Sequence, residues 1–245
     1  MNAGLRVERA GSIVTLTIDR PARRNAVDID TIDAIGAAVA SIDADADVAA
    51  IVLRGAGEHF CAGADVADLA GLLDRSDAEL AELFQRQVEA LGRLRASNCL
   101  TVAAVDGAAL GFGVALAASC DLVLAGPTAR FGLPEIKLGM PPAMVIPVLV
   151  HRLSGAATLD LATTGRTVGV AEAATLGLVD RAVDDVTASV AALTEPFGEY
   201  GAGAVRASVA LARRLAAGEP VDVAAASVAA IRSPRVATLI SGGHS

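Results

Sequence analysis

The residues from Thr101 to Glu135, TVAAVDGAALGFGVALAASCDLVLAGPTARFGLPE, constrain the fold of this chain more than any other stretch. An apolar run from Leu100 to Val105 has the character of a buried strand and ends in Asp106-Gly107. A turn at Gly111-Phe112-Gly113 then opens an alanine-rich segment of helical character. A second apolar run, Leu122 to Ala125, follows, and a short loop delivers the carboxylate of Glu135. Strand, glycine turn and helix make a place where backbone N–H groups can point at an anion. A carboxylate folded beside those donors adds an acid/base.

The same order recurs through the first part of the chain. A strand pair is expected over Leu5–Glu8 and Ser12–Ile18, turning at Ala10-Gly11, with period-two alternation from Ile13 to Ile18. Arg20 to Ala26 reads as a loop punctuated by Pro21 and Asn25. A helix from about Asp28 to Ile42 is apolar at Ile32, Ile35, Val39 and Ile42. Ala49 to Arg54 is a continuous apolar strand, and Gly55 to Asp65 a glycine-rich loop. Asp77 to Ala96 is a long amphipathic helix. Buried strand, loop and helix in repetition predict an α/β fold with a largely parallel sheet or spiral. From about Pro147 strand signals nearly vanish. Helices are expected over Met144–Leu153, Ala156–Thr163, Val170–Leu176, Val186–Ala192, Ala202–Ala217 and Val221–Ile231, with a frayed end from Ser241.

Composition narrows the function. At 245 residues, 53% apolar and 2% aromatic, the chain can bury a large core, one built from Ala, Val, Leu and Ile. A net charge of −8 argues against a nucleic-acid binder, although Arg20, Arg23 and Arg24 form a local basic patch. Cys61, Cys99 and Cys120 lie far apart with no CxxC, which argues against a disulfide framework or zinc site, and no metal is expected. The uncharged stretches are too short and too broken by Gly and Pro to span a bilayer, and no signal pattern opens the chain. The reading is a cytoplasmic protein without membrane or nucleic-acid partners.

Three segments look unlike packing alone: Phe60 to Asp65, Gly107 to Gly113 and Phe131 to Glu135. Two N–H donors from separate loops can clamp a thioester oxygen on which charge builds, each worth about 3 kcal/mol in the transition state. Plainer readings compete. A lone Gly111-x-Gly113 also serves close packing at a strand–helix junction, and the dinucleotide fingerprint fails because position 116 is Leu116. A carboxylate after proline, as at Glu135, is also a common helix start. Asp65 reads as a loop organiser or cap, Asp121 as structural, His59 as a loop residue, and Cys61 and Cys120 as packing.

The order RPxxxNA, FCAGAD, VDGxAxGxG, CD, FGxPE, TGR and EAxxxGLVDxxV, over roughly residues 5 to 185, resembles the crotonase superfamily of enoyl-CoA hydratases and isomerases. The resemblance implies a spiral of ββα units over residues 1–185, carrying a CoA-ester site. It implies a helical oligomerisation region over 186–245, and a homotrimer or dimer of trimers. It implies Ala64 and Phe112 as the oxyanion N–H donors and Glu135 as the acid/base. The loop through Arg23, Arg24 and Ala26 would lie against the CoA moiety, with Ala62, Gly63, Asp65 and Gly111 completing the binding surface. Coenzyme A would be part of the substrate, with no separate cofactor.

The departures from the family pattern matter as much. Family hydratases carry a second glutamate at the position of Ala115, and Phe112 stands where a glycine is usual. Met140-Pro141-Pro142-Ala143-Met144 replaces a glycine-rich run, which should reshape the acyl pocket. Hydration of a 2-enoyl-CoA leads, with Glu58, Asp68 or Glu82 as possible suppliers of a second acid. Isomerisation of a 3-enoyl-CoA by one glutamate stands close behind. Acyl-CoA binding without turnover, and a nicotinamide-dependent oxidoreductase, remain open.

Overall fold

The computed structural model describes residues 4–65 and 71–242. Strand β1 (Leu5–Ala10) and strand β2 (Ile13–Ile18) form an antiparallel hairpin whose register runs from Leu5↔Ile18 to Ala10↔Ile13. Gly11, at φ +59°, takes the left-handed position of the turn between them, which falls at Gly11-Ser12 because Ala10, expected in the turn, ends β1. The chain continues through α1 (Ile29–Asp43), β3 (Ala50–Gly55) and α2 (Asp77–Ala96). The central stretch gives β4 (Leu100–Val105), β5 (Ala108–Leu110), α3 (Phe112–Ala118), β6 (Leu122–Ala125) and β7 (Arg130–Gly132). A 3-10 turn, Pro134–Leu138, follows.

Next come α4 (Ile146–Leu149), α5 (Gly155–Thr164), β8 (Thr167–Gly169), α6 (Val170–Leu176) and β9 (Arg181–Ala182). Among the described residues only helices come after β9: α7 (Val186–Thr194), α8 (Phe197–Tyr200), α9 (Ala202–Ala216), α10 (Val223–Ile231) and α11 (Pro234–Gly242).

Two sheets result. The larger has the order β1-β2-β3-β4-β6-β9, and every pairing after the first hairpin is parallel. β3 and β4 are buried along almost their whole length, as a sheet covered on both faces requires. The smaller sheet, β5-β7-β8, turns the chain back beside the first and produces the spiral. α1 and α2 cover one side. Asp28 caps α1 by accepting the Thr31 N–H, and Ser76 with Glu79 forms a capping box on α2. Gly36 faces Ala90 closely enough for the two helices to touch.

The helical end is partly core. Phe197 packs on Ala49 and Ala50, flanked by Ile13, Leu100 and Val205. Arg213 of α9 grips Asp121, whose Oδ2 also accepts the Thr101 N–H, so Asp121 ties β4, β6 and α9 together as a structural residue. α10, in contrast, buries no residue, and its Val223, Val228 and Ile231 are exposed.

Several expectations shift. Met144–Leu153 is helical only over Ile146–Leu149, with Pro147 in the first turn of that helix, where a missing N–H costs nothing. β8 and β9, at three and two residues, are too short to show a periodicity, so strand structure continues past Pro147. Ser241 and Gly242 close α11 instead of fraying, and residues 243–245 lie outside the described chain.

One buried side chain holds the first loop. Asn25, fully buried at φ +57°, accepts the Arg20 N–H at 3.0 Å. It donates to the Ala56 carbonyl at 2.8 Å and the His59 carbonyl at 2.6 Å. Asn25→Ala strands both carbonyls and puts alanine, which tolerates the left-handed region less well than asparagine, at φ +57°, so it should cost about 2–4 kcal/mol in urea unfolding. Asn25→Gly relieves the backbone but not the carbonyls, and should recover less than half of that loss.

Candidate active site

Four chain segments run in parallel and end at one place. β5 pairs with β7 in the register Ala109↔Phe131. Cys61 bridges Ala109, and Ala64 bridges Val27, both parallel. Parallel neighbours exit on the same side. The residues just past β5 (Gly111, Phe112), those past β7 (Leu133 to Glu135) and the Ala62–Asp65 segment therefore meet. The Gly111 N–H donates to the Gly132 carbonyl at 2.9 Å, which fixes the two exits against each other.

Local backbone geometry then aims the donors. The Ala62 N–H, the Gly63 carbonyl and the Asp65 N–H all pair with the Arg24–Val27 segment. Regular strand alternation would split these groups between two sides; Gly63, at φ +108°, makes the break. The Ala64 N–H is left out of that ladder. Across from it, a Cβ on Gly63 would lie 3.0 Å from the Leu110 carbonyl and 3.9 Å from the Phe112 nitrogen. Among the described residues no protein acceptor takes the N–H of Ala64 or of Phe112. The Phe112 ring is buried in the core, so its bulk leaves the backbone donor uncovered.

Glu135 stands against this turn. A Cβ built on Gly111 would come within 2.5 Å of Glu135 Oε1, so the carboxylate occupies the space that only a glycine leaves. Its Oε2 is buried without a hydrogen-bond partner. Burial raises its pKa above the ordinary glutamate value, with its own backbone N–H opposing. All of this faces one cavity of about 790 Å3. Its walls include Ile32 of α1, Leu83, Phe84 and Gln87 of α2, and the run Met140 to Met144. Ala62, Gly63, Ala64, Asp65, Gly111, Phe112 and Glu135 also line it, so seven of the residues singled out in the sequence converge there.

Residues 8–197 match the sequence family described as enoyl-CoA hydratase/isomerase. The chain belongs to this family, the crotonase superfamily. It is 38% identical over 203 residues to a Mycobacterium bovis protein named "Probable enoyl-CoA hydratase", covering 82% of this chain and 77% of the relative. A crystal structure of an enoyl-CoA hydratase/isomerase from Marinobacter aquaeolei superposes with a TM-score of 0.86 at 31% identity, covering 94% of this chain and 92% of the other. A Thermobifida fusca structure solved in complex with CoA gives a TM-score of 0.80 at 30% identity, over 99% and 95% of the two chains. The expected crotonase-like α/β spiral with a helical C-terminal region is thus the observed fold.

As a crotonase this chain is sparing with acids. Ala115 is fully buried on α3. Glu58 and Glu82 are exposed and absent from the cavity wall, and Asp68 lies outside the described residues. Asp28, Asp30 and Asp65 do line the cavity. Asp28 and Asp65 are held by Arg20, whose guanidinium lies 2.8 Å and 3.1 Å from them, and Asp30 is exposed.

The remaining candidates sit nearby. Arg23 and Arg24 stand exposed on the loop beside Ala26, outside the cavity wall, with Arg23 4.0 Å from Asp65. His59 accepts the Ala108 N–H on Nδ1, a loop role. Cys61 and Cys120 are buried, their thiols pushed up to about 12 by desolvation, and therefore inert. The roles of Arg20 and Gln87 were not read from the sequence. Arg20 looked like part of a solvated patch, whereas Gln87 left a signal as the polar member of an apolar helix stripe.

Two stability measurements test this geometry. Gly111→Ala forces the Glu135 carboxylate aside and strains φ +52°, and should cost about 1–3 kcal/mol in chemical unfolding. For Glu135 the folded state holds its proton more tightly than the unfolded chain, so its favourable contribution is complete at low pH and fades as pH rises through the raised pKa. Glu135→Gln should therefore gain stability relative to the parent as pH increases from about 4.3. The gain should level off above the raised value. A pH-independent difference in melting temperature would contradict the buried, unpaired carboxylate.

Proposed function

We propose that this acyl-CoA enzyme of the hydratase/isomerase type holds its thioester oxygen between the N–H groups of Ala64 and Phe112 while Glu135 moves a proton on the acyl chain. The observation that carries the reading is the Glu135 carboxylate set against Gly111, its Oε2 buried and unpartnered, one residue from the Phe112 N–H, in a cavity roomy enough for an acyl group. Charge that builds on the thioester oxygen meets donors already in place, which lowers the barrier to the enolate.

Hydration of a 2-enoyl-CoA is the leading activity. Glu135 takes a proton from water, the hydroxide adds at C3, the enolate charge rests on the thioester oxygen, and Glu135 returns the proton to C2. The relatives named as hydratases support this reading. A second reading is favoured by the fully buried Ala115 and the exposed positions of Glu58 and Glu82. In it Glu135 removes a C2 proton from a 3-enoyl-CoA and delivers it to C4, which needs no second acid and no water.

Arg23 and Arg24, exposed on the neighbouring loop, would meet CoA phosphates through their guanidinium groups, with Ala26 beside them. The Thermobifida fusca relative solved in complex with CoA supports CoA-ester binding by this fold. The substrate's own CoA is the only cofactor the chemistry requires. The exposed Val223, Val228 and Ile231 of α10 suit a homotrimer or a dimer of trimers, which light scattering would read as three or six protomers. Among the described residues no helix is long and apolar enough to cross a membrane. Three buried free thiols fit a reducing, cytoplasmic setting.

Turnover on crotonyl-CoA and on a 3-enoyl-CoA, assayed side by side, decides between the two activities. Loss of the conjugated thioester absorbance selects hydration, and its gain from the 3-enoyl ester alone selects isomerisation. Either activity should fall by about 10²–10⁴-fold in Glu135→Gln. Since the basic form of Glu135 acts first, kcat/KM should rise with pH through a midpoint above the ordinary glutamate value. No turnover of either ester, with CoA esters still bound, would overturn the proposal.

A further inference from the structure

α2 presents a buried stripe to the body of the protein: Leu83, Gln87, Ala90, Leu91 and Leu94. The spacing is that of one helix face, and every member but Gln87 is apolar. Gln87 is only 8% exposed, and what exposure it has opens on the cavity that holds Glu135. Among the described residues its amide has no hydrogen-bond partner. Leu83 and Phe84, one turn before it on α2, and Ile32 of α1 line the same cavity and offer no side-chain polar atom.

The other polar groups in the wall have assignments. Glu135 faces the donor pair, Asp28 and Asp65 are held by Arg20, and Asp30 and Arg75 are exposed. Among the described residues Gln87 breaks the local apolar pattern without a compensating contact. Such breaks mark functional positions, and a buried amide is satisfied only by a group that enters with the ligand or by water.

We infer that Gln87 selects an acyl-CoA whose acyl group carries an oxygen function, a hydroxyl, keto or carboxyl group, beyond the thioester. The inference rests on the acyl-CoA reading above. A plain alkyl chain seated against Gln87 would cover its amide and leave both its donor and its acceptor unmet. An oxygen on the chain answers the donor, and a hydroxyl answers either. Sites built to hydrogen-bond a substrate oxygen discriminate strongly against the analogue that lacks it.

The test is a binding comparison, independent of turnover. Dissociation constants for hexanoyl-CoA and for its 4-, 5- and 6-hydroxy derivatives are measured by calorimetry on the parent protein and on Gln87→Met, a volume-conserving change to another good helix former. At least one hydroxy ester should bind the parent about tenfold more tightly than hexanoyl-CoA. Gln87→Met should abolish that preference by weakening the hydroxy ester and tightening the alkyl one. Equal affinities of the parent for all four esters would overturn the inference without any variant, as would a preference that survives in Gln87→Met, the result expected of an amide served by water. Failure of every ester to bind would instead strike the acyl-CoA reading itself.

Discussion

The site depends on a single constraint, the parallel register that joins Val27 to Ala64, Cys61 to Ala109 and Ala109 to Phe131. Each pairing carries few hydrogen bonds, yet together they oblige three loops to leave the sheets at the same edge. Antiparallel pairing at any of these steps would send one loop to the opposite end. The close approach is enforced by backbone: a Cβ on Gly113 would lie 2.2 Å from the Cys61 carbonyl, so the segment before Ala64 is pressed against the start of α3. Side chains could not hold the two donor loops this near each other.

Around that core a small polar frame supports the loops from behind. Arg20 reaches Asp28 at the start of α1, Asp65 beyond Ala64 and the Ala26 carbonyl, while Asn25 takes up the carbonyls of Ala56 and His59. The guanidinium thus joins three segments that the parallel register brings close but does not lock. Backbone donors also make the site tolerant of side-chain change. Phe112 in place of a small residue leaves the backbone N–H where the turn puts it, with the side chain buried against the core.

How much of this was visible in the chain follows from the range of each interaction. Strands β4 and β6 and helices α2 and α6 were legible to the residue, because continuous apolar runs, caps and glycine stops are local signals. The glycines of FCAGAD and of Gly111-Phe112-Gly113 marked the backbone approaches, and Glu135 was legible through its place after them. The strands β5, β7, β8 and β9 were not, since two or three residues hold no period and their pairing is decided by chain elsewhere. Arg20 could not be told from Arg23 and Arg24 in sequence. Only the fold shows that the first is enclosed by two carboxylates and the others are exposed.

The absence of an acid at Ala115 changes the electrostatics of the site as well as its inventory. Two neighbouring carboxylates in a dry cavity repel, so one of them stays protonated and the pair titrates as a unit. Here the partner position is a methyl group in the core, and the other cavity carboxylates near the donors are neutralised by Arg20. Desolvation, opposed by its own backbone N–H, then raises the proton affinity of Glu135 without a like charge to help. A carboxylate of that kind is a stronger base once ionised than an exposed one, and it has no second group to share the proton with. In either proposed reaction the proton it takes, from water or from C2, is then delivered to the acyl chain. Chemistry in which one group removes and returns a single proton is therefore the mode for which this arrangement is suited, whichever carbon receives it.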